Sequence, residues 1–248
     1  MNHRTVVISD VHLGAISAAN ETAFETFLGR VPELGDDLLI NGDLFDFWYE
    51  YGQVIPRGHF STLAALHRLV RDGMRVRYLG GNHDAWGGSF LADEVGLELV
   101  EGPSILTVGG RKSYVAHGDG LGGGDWGYRA LKWSSRSRPG RWAFRAIHPG
   151  VGVPIARLAS STESKVAGDP DYVSPRAPRL AALARSILEG DSDIELVIFG
   201  HTHQPRLDEL FPGRFYLNAG DWIHHCSYAV VSEDAIELVT DACASPSA

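Results

Sequence analysis

Five short groups of side chains that bind metals occur in order along the 248-residue chain. They read Asp10-Val11-His12, Gly42-Asp43-Leu44-Phe45-Asp46, Gly81-Asn82-His83-Asp84, His117-Gly118-Asp119 and Gly200-His201-Thr202-His203. Their carboxylate, amide and imidazole groups suit hard-to-borderline divalent metals. Two such metals side by side can hold a phosphoryl group and activate a water molecule. The groups therefore predict a two-metal hydrolase that acts on a phosphate ester or anhydride.

Any one of these groups alone has an ordinary structural interpretation. Gly42-Asp43 and Gly81-Asn82 are typical of turns that follow strands. An isolated Asp-x-His or His-x-His can also arise by coincidence. The full set in this order is far more specific, because a turn after a strand has no need of metal-binding side chains.

Short runs typical of strands precede the first three groups, and the first of these runs is apolar and β-branched. They cover residues 5–9, 37–41 and 75–79, and they end next to Asp10, Gly42 and Gly80-Gly81. Helical periodicity lies between them, in a helix that Asn20 caps and that runs to about Val31, and in another over residues 58–71. This alternation predicts an α/β fold with the site at the carboxyl ends of the strands.

The second half of the chain is richer in strands. A hairpin over residues 104–108 and 113–116 would deliver His117, and a strand over residues 195–199 would deliver His201. A helix is expected over residues 175–189. Strands over residues 214–217, 227–231 and 235–239 are expected to complete a second sheet.

Composition narrows the class of protein. A hydrophobic content of 44% over this length fits one domain with a sizeable core. The net charge of −9 argues against a general nucleic-acid binder. Two cysteines are too few for a disulfide framework, and no run of about 20 apolar residues is present. We expect no signal peptide, because the first residues lack a long apolar h-region. We expect a reduced, cytoplasmic protein that can touch the inner membrane only from its surface.

One basic segment departs from this acidic background, because residues 126–162 contain no acidic side chain. Its cations are Arg129, Lys132, Arg136, Arg138, Arg141, Arg145 and Arg157, and its aromatic residues include Trp133. Two interpretations are open: a helix pair with buried aromatics, or a cap over the metals. In a cap, arginines would bind the diphosphate or uridine and aromatics would meet acyl chains or a bilayer. Nucleic acid ranks lower, since the basic stretch is short.

The five groups resemble the pattern of the calcineurin-like metallophosphoesterase superfamily, which is D-x-H, G-D-x-x-D, G-N-H-[DE], a histidine and G-H-x-H. The resemblance implies an α/β (α+β) fold, a four-layer αββα sandwich. It assigns the first metal to Asp10, His12, Asp43 and His203, and the second metal to Asp43, Asn82, His117 and His201. It also implies that His83 assists the leaving group, that Asp84 orients it, and that Asp46 supports the ligands.

Within that superfamily the chain looks most like the UDP-2,3-diacylglucosamine diphosphatases of lipid A synthesis. The resemblance rests on residues 42–48, on His117-Gly118-Asp119-Gly120-Leu121 and on the insertion that follows. It implies one domain over residues 1–248 with an inserted helical cap over residues 121–175. It also implies cleavage of a nucleotide-lipid to a lipid monophosphate and UMP. One departure stands out: the best-known members carry arginine at the position of His83.

The cap residues expected to bind this amphipathic substrate are Arg129, Lys132, Trp133, Arg136, Arg141 and Arg145. The expected cofactors are two divalent metal ions, with Mn²⁺ preferred and Fe, Co or Zn as alternatives. Two other functions stay open. A soluble phosphodiesterase or phosphoprotein phosphatase would use the same metals without an aromatic cap. A non-catalytic scaffold could lose ligands freely, yet none is missing here.

Overall fold

A computed structural model describes residues 3–50, 54–84, 89–121, 147, 174–240 and 243. Its helices are α1 (Ala18–Leu34), α2 (Phe60–Arg71) and α3 (Ala177–Gly190), with a 3₁₀ turn at Arg57–His59 and a π-helical turn at Leu91–Val95. Its strands are β1 (Thr5–Ile8), β2 (Asp37–Asn41), β3 (Arg75–Leu79), β4 (Glu98–Val100), β5 (Ser104–Val108), β6 (Arg111–Val115), β7 (Leu196–Phe199), β8 (Arg206–Phe211), β9 (Arg214–Asn218), β10 (Tyr228–Val231) and β11 (Ile236–Val239). No helix in the described part of the chain is long and apolar enough to cross a bilayer.

The strands form two mixed sheets. The first has the order β11-β10-β1-β2-β3-β4, and the second has the order β5-β6-β7-β9-β8. Strands β1 to β4 run parallel to one another, as do β6, β7 and β9. Parallel neighbours end at the same edge of a sheet, so the segments that follow β1, β2 and β3 lie side by side.

Three apolar cores separate four layers. Side chains alternate between the two faces of a strand, so Val6 and Ile8 pack towards α1 and α2 whereas Val7 packs towards the second sheet. The outer face of the second sheet is covered by α3 through Leu180 and its neighbours. The helix–sheet–sheet–helix sandwich expected from the resemblance is confirmed, as is the α/β class.

The predicted membership of the second sheet is wrong for two strands. β10 pairs antiparallel with β1, with Val6 opposite Val230, and β11 follows it into the first sheet. Local sequence patterns identify a strand but not its neighbour in the sheet. Here β10 pairs with the edge of β1 that β2 does not occupy. The strand patterns missed β4, which has only three residues, and β8, which carries charged residues.

The predicted cap of α1 is also wrong. The helix begins earlier, at Ala18, and the Ser17 hydroxyl accepts the backbone N–H of Asn20. The Asn20 side chain instead donates to the carbonyl oxygens of Trp222 and Ile223. Asn20 therefore joins α1 to the segment before β10, a tertiary role that a capping pattern does not reveal.

The two cysteines form a disulfide, Cys226–Cys243, with their Cα atoms 5.4 Å apart. The expectation of two reduced cysteines does not hold in this structure. The β10–β11 hairpin pairs Tyr228 with Val239, so the chain after β11 returns to the segment that precedes β10. This folding back, rather than the spacing of 17 residues, brings the sulfurs together.

The segment predicted as a cap lies almost entirely outside the described residues. The substrate-binding residues expected there are likewise outside them: Arg129, Lys132, Trp133, Arg136, Arg141 and Arg145.

Candidate metal centre

Ligand-type side chains from both sheets converge at one edge of the sandwich. They follow β1, β2 and β3 in the first sheet and β6 and β7 in the second. Three sets of donor atoms lie within 4.8 Å of one another: Asp10, His12 and His203; His12, Asp43 and His83; and Asp43, His117 and His201. The first and third sets share no residue, and Asp43 of the third set also groups with His12 of the first, so the donors suit two neighbouring ions.

The imidazole rings of the cluster lie around two carboxylates, those of Asp43 and Asp10. The Nε2 atom of His117 lies 3.1 Å from Asp43 Oδ2, and the Nε2 atom of His12 lies 3.9 Å from the same oxygen. On the other side, His203 Nε2 lies 3.6 Å from Asp10 Oδ1. Imidazoles that face carboxylates in this way are typical of metal-binding sites.

Backbone carbonyls fix the orientation of two of the imidazole rings. His117 Nδ1 lies 2.9 Å from the carbonyl oxygen of Asn41, and His83 Nδ1 lies 2.9 Å from that of Asp46. A carbonyl only accepts, so each Nδ1 must carry the proton. Nε2 of His117 then faces Asp43, and a second hydrogen bond at Nδ1 is typical of metal-binding histidines.

Several buried polar atoms of the cluster make no hydrogen bond within the described residues. These atoms are His12 Nδ1 and Nε2, Asp43 Oδ2, Asn82 Oδ1 and His117 Nε2. A buried polar atom without a hydrogen bond costs about 1–3 kcal/mol, so a group of them in one place calls for a further partner. Carboxylate, amide and imidazole donors are a set that a divalent cation satisfies, so the residues present fit two metal ions.

The backbone is strained at the same place. Among the described residues, positive φ angles outside glycine occur at Asp10, His12, Asp43, His201, His203 and Cys226. Five of these six residues belong to the cluster. Left-handed backbone at non-glycine residues costs on the order of 1–3 kcal/mol each and is concentrated at functional sites.

The motif glycines make room for the ligands. A Cβ on Gly81 would collide with the Asp43 carboxylate, and a Cβ on Gly42, which has a φ of 88°, would collide with the ring of His117. The glycine in each motif is therefore required by the close approach of one loop to the ligand of another.

Asp84 ties two of these loops together. Its carboxylate accepts the backbone N–H groups of Leu44, at 2.8 Å, and Gly81, at 2.7 Å. Burial and the nearby Asp43 carboxylate raise the pKa of Asp84 to about 6. The ring of His83 is held by the Asp46 carbonyl, so Asp84 places the loop on which His83 lies rather than contacting the ring.

Burial and nearby carboxylates shift the pKa of a histidine in opposite directions. Burial lowers the pKa of His12 to about 4. Burial also lowers the pKa of His117, but the Asp43 and Asp10 carboxylates outweigh it and raise that pKa to about 10. Burial raises the pKa of Asp43, yet His117 and His83 hold it well below its usual range. Protons and divalent cations compete for the same lone pairs at such sites.

Two residues near the cluster escaped the sequence patterns. Asp221 Oδ2 lies 3.5 Å from His203 Nδ1, and Asp221 accepts the backbone N–H of Ile223 at 3.0 Å. Arg176, at the start of α3, donates to His201 Nε2 at 2.8 Å. Asp221 follows Gly220 shortly after β9, a strand-end signal like that of the other groups, whereas nothing local to Arg176 indicates its contact.

The fold and the cluster together define a class of protein. A four-layer sandwich that carries paired carboxylate and imidazole groups at the ends of strands from both sheets has the architecture of a two-metal phosphohydrolase. The family model described as calcineurin-like phosphoesterase matches residues 3–205. The chain belongs to the calcineurin-like phosphoesterase family, and it is a metal-dependent phosphoesterase.

Curated relatives cover nearly the whole chain. UDP-2,3-diacylglucosamine hydrolase from Porphyromonas gingivalis is 27% identical over 93% of this chain and 94% of the relative. The proteins of the same name from Ralstonia nicotianae and Escherichia coli are 31% and 29% identical. They cover 88% and 95% of this chain, and 84% and 98% of their own lengths.

Proposed function

We propose that the protein hydrolyses the diphosphate of UDP-2,3-diacylglucosamine to a lipid monophosphate and UMP, a step of lipid A synthesis. The convergence of carboxylate and imidazole donors from both sheets at one edge carries the proposal. The relatives named for this substrate support its identity, since they align over nearly the full length of the chain. Water adds to one phosphorus, and the bond from that phosphorus to the bridging oxygen breaks.

The metal ligands would be arranged in two sets that share one carboxylate. Asp10, His12, Asp43 and His203 would hold the first ion, and Asp43, Asn82, His117 and His201 the second. When bound, two divalent cations supply positive charge for the phosphoryl oxygens and lower the pKa of a water molecule towards about 7. We propose Mn²⁺ as the native metal, with Fe, Co and Zn as the alternatives that such mixed ligands accept.

His83 would act on the leaving group. Its Nδ1 atom contacts the Asp46 carbonyl, and its Nε2 atom lies 3.9 Å from Asp43 Oδ2, so the Nε2 edge of the ring faces the cluster. An imidazolium there can stabilise charge on, or give a proton to, the departing oxygen. Asp84 places the loop that carries His83, and Asp46 supports the ring.

The proposed cap, residues 121–175 of one domain that spans residues 1–248, would hold the lipid. Arg129, Lys132, Trp133, Arg136, Arg141 and Arg145 would bind the diphosphate and acyl chains. We propose a cytoplasmic enzyme that meets its nucleotide-lipid substrate at the surface of the inner membrane.

A substrate panel tests the proposal. The purified protein, loaded with Mn²⁺, is expected to release UMP from UDP-2,3-diacylglucosamine with a kcat/KM at least tenfold above that for cyclic nucleotides, a phosphopeptide or bis-p-nitrophenyl phosphate. The Asp43→Ala variant is the control for contaminating activity. Turnover of a small phosphodiester or a phosphopeptide without any turnover of the nucleotide-lipid would favour the soluble phosphodiesterase or phosphatase.

A further inference from the structure

A cavity of about 450 Å³ opens beside the metal cluster. Asp46, whose carbonyl holds the His83 ring, forms part of its wall, as does Leu13, the residue after His12. Asp46 Oδ1 also lies 3.5 Å from His83 Nδ1 and 3.9 Å from His12 Nδ1, so the wall of the cavity adjoins the candidate metal centre. Its volume lies within the range of roughly 300–1,000 Å³ that is typical of small-ligand sites.

The far wall of the cavity has a mixed lining. Phe47 and Tyr49 contribute two aromatic rings with centroids 5.5 Å apart and planes inclined at 36°. Glu21 contributes a carboxylate and Arg57 a guanidinium. Arg57 is exposed and has no carboxylate partner among the residues that the structure describes. The cavity thus offers an aromatic surface, hydrogen-bond acceptors and an available cation.

The side chains that line the cavity are complementary to a nucleoside and not to an acyl chain. Methylene groups give no hydrogen bonds to Glu21 or Arg57, so burying those charges under a chain would leave them unpaired. A planar base can stack on the rings of Phe47 and Tyr49. Ribose hydroxyls can donate to the carboxylate of Glu21, and the oxygens of a nucleotide can accept from Arg57.

The inner side of the cavity is firmly packed. The His59 ring lies 4.9 Å from the Phe45 ring, centroid to centroid. Gly14 packs so closely on His59 that an added Cβ would lie 3.1 Å from its Cε1 atom. A site with a fixed wall loses little conformational entropy when a ligand binds, which favours a specific pocket.

We infer that this cavity binds the nucleoside half of a nucleoside monophosphate whose phosphate lies at the metal cluster. The inference rests on the proposed function, because it names the part of the substrate that Phe47, Tyr49, Glu21 and Arg57 recognise. The lipid half then leaves the cluster on another side. UMP is both the product of the proposed reaction and a probe that needs no lipid.

Competitive inhibition by graded fragments tests the inference. With the Mn²⁺-loaded protein and bis-p-nitrophenyl phosphate as reporter, inhibition constants are measured for inorganic phosphate, ribose 5-phosphate and UMP. UMP is expected to bind about tenfold more tightly than phosphate, a difference of about 1.4 kcal/mol. Arg57→Glu and Tyr49→Ala should each remove most of that advantage. The measure is the ratio of the inhibition constants for phosphate and UMP within each variant.

Arg71→Glu is the matched control, since it makes the same charge change at the exposed far end of α2. It should leave the ratio unchanged, and Tm values establish that every variant is folded. An equal affinity for UMP and phosphate in the wild type would overturn the inference. So would an unchanged ratio in both variants, or a loss of inhibition by a diacylglucosamine phosphate instead of UMP.

The two proposals can fail separately. If the wild type cleaves UDP-2,3-diacylglucosamine but the variants keep the UMP ratio, only the nucleoside pocket is refuted. If the wild type does not cleave that lipid but UMP binds through Arg57 and Tyr49, the pocket stands and the proposed substrate is replaced by another nucleotide.

Discussion

The carboxylate of Asp43 is the point at which the two halves of the cluster meet. It lies beside His117 and His12, its backbone has a φ of 50°, and its Oδ2 atom makes no hydrogen bond within the described residues. A buried carboxylate that is held in strained backbone, with one oxygen lacking a hydrogen bond, is destabilising alone. Its placement makes sense if it bridges two cations.

Removal of Asp43 should therefore abolish both metal retention and hydrolysis. We expect Asp43→Ala to lose at least one of two metal ions per chain and more than ~10³-fold of kcat, since the charge that holds the phosphoryl group is lost with them. Elemental analysis after gel filtration gives the metal content. Asp193→Ala, at an exposed carboxylate 3.3 Å from Lys112, is the control and should retain both ions. A variant at position 43 with two ions and normal turnover would exclude the bridging role.

His83 should contribute to catalysis without holding metal. Loss of a general acid costs roughly 10²–10⁴-fold for a poor leaving group and little for one that departs unaided. We expect His83→Ala to show a penalty that grows with the pKa of the leaving group, small for p-nitrophenolate and intermediate for the nucleotide-lipid.

The measurement is kcat across a series of esters, with metal content measured in parallel. A constant penalty at every leaving group would instead indicate that His83 binds the phosphoryl oxygens.

At the scale of the elements, one buried ion pair joins the strands that present the ligands. Arg77 on β3 and Asp37 on β2 are 2% and 3% exposed, and Arg77 Nη2 lies 2.5 Å from Asp37 Oδ2. Arg77 Nη1 also donates to the Thr107 carbonyl of β5, at 2.8 Å. These contacts of Arg77 link the two sheets.

Breaking one half of that pair should destabilise the fold strongly. We expect Arg77→Met to lower the free energy of unfolding by about 3–5 kcal/mol, because it leaves the Asp37 carboxylate buried without its guanidinium partner. The double variant Arg77→Met/Asp37→Leu should recover much of the loss, since no unpaired charge remains. Urea unfolding followed by circular dichroism measures both. Equal stability of the single and double variants would contradict the buried-charge explanation.

For the whole molecule, the cluster is a junction between the two sheets. Its ligands follow strands of the first sheet, such as β1 and β2, and strands of the second, β6 and β7. An ion bound there binds only the folded chain, because unfolding separates residues as distant as Asp10 and His203.

Metal binding should accordingly raise the thermal stability. At a free metal concentration of 100 times Kd, a single site adds about 2.7 kcal/mol, which corresponds to a rise in Tm of roughly 5–10 °C for a chain of this size. Scanning calorimetry of the protein with chelator and with Mn²⁺ measures the shift. Asp43→Ala serves as the comparison, and a rise of the same size in that variant would place the stabilising ion elsewhere.

The sequence by itself determined the chemistry and most of the elements. Side chains such as those of Asp43 and His117 indicate metal binding by their residue type alone. The short strand patterns that precede them indicate where the strands end. β2 and β3 were predicted at their observed bounds, because a short strand pattern between turn residues is a local signal. The four-layer sandwich was implied by the resemblance of the motifs to those of the calcineurin-like superfamily.

The tertiary structure decided what depends on residues far apart in the chain. It placed β10 on β1 rather than in the second sheet, and it brought Asp221 to His203 and Arg176 to His201. It also turned Asn20 from an expected helix cap into a bridge to Trp222. Local propensity cannot encode these contacts, since each depends on which edges and faces pack after the chain has folded.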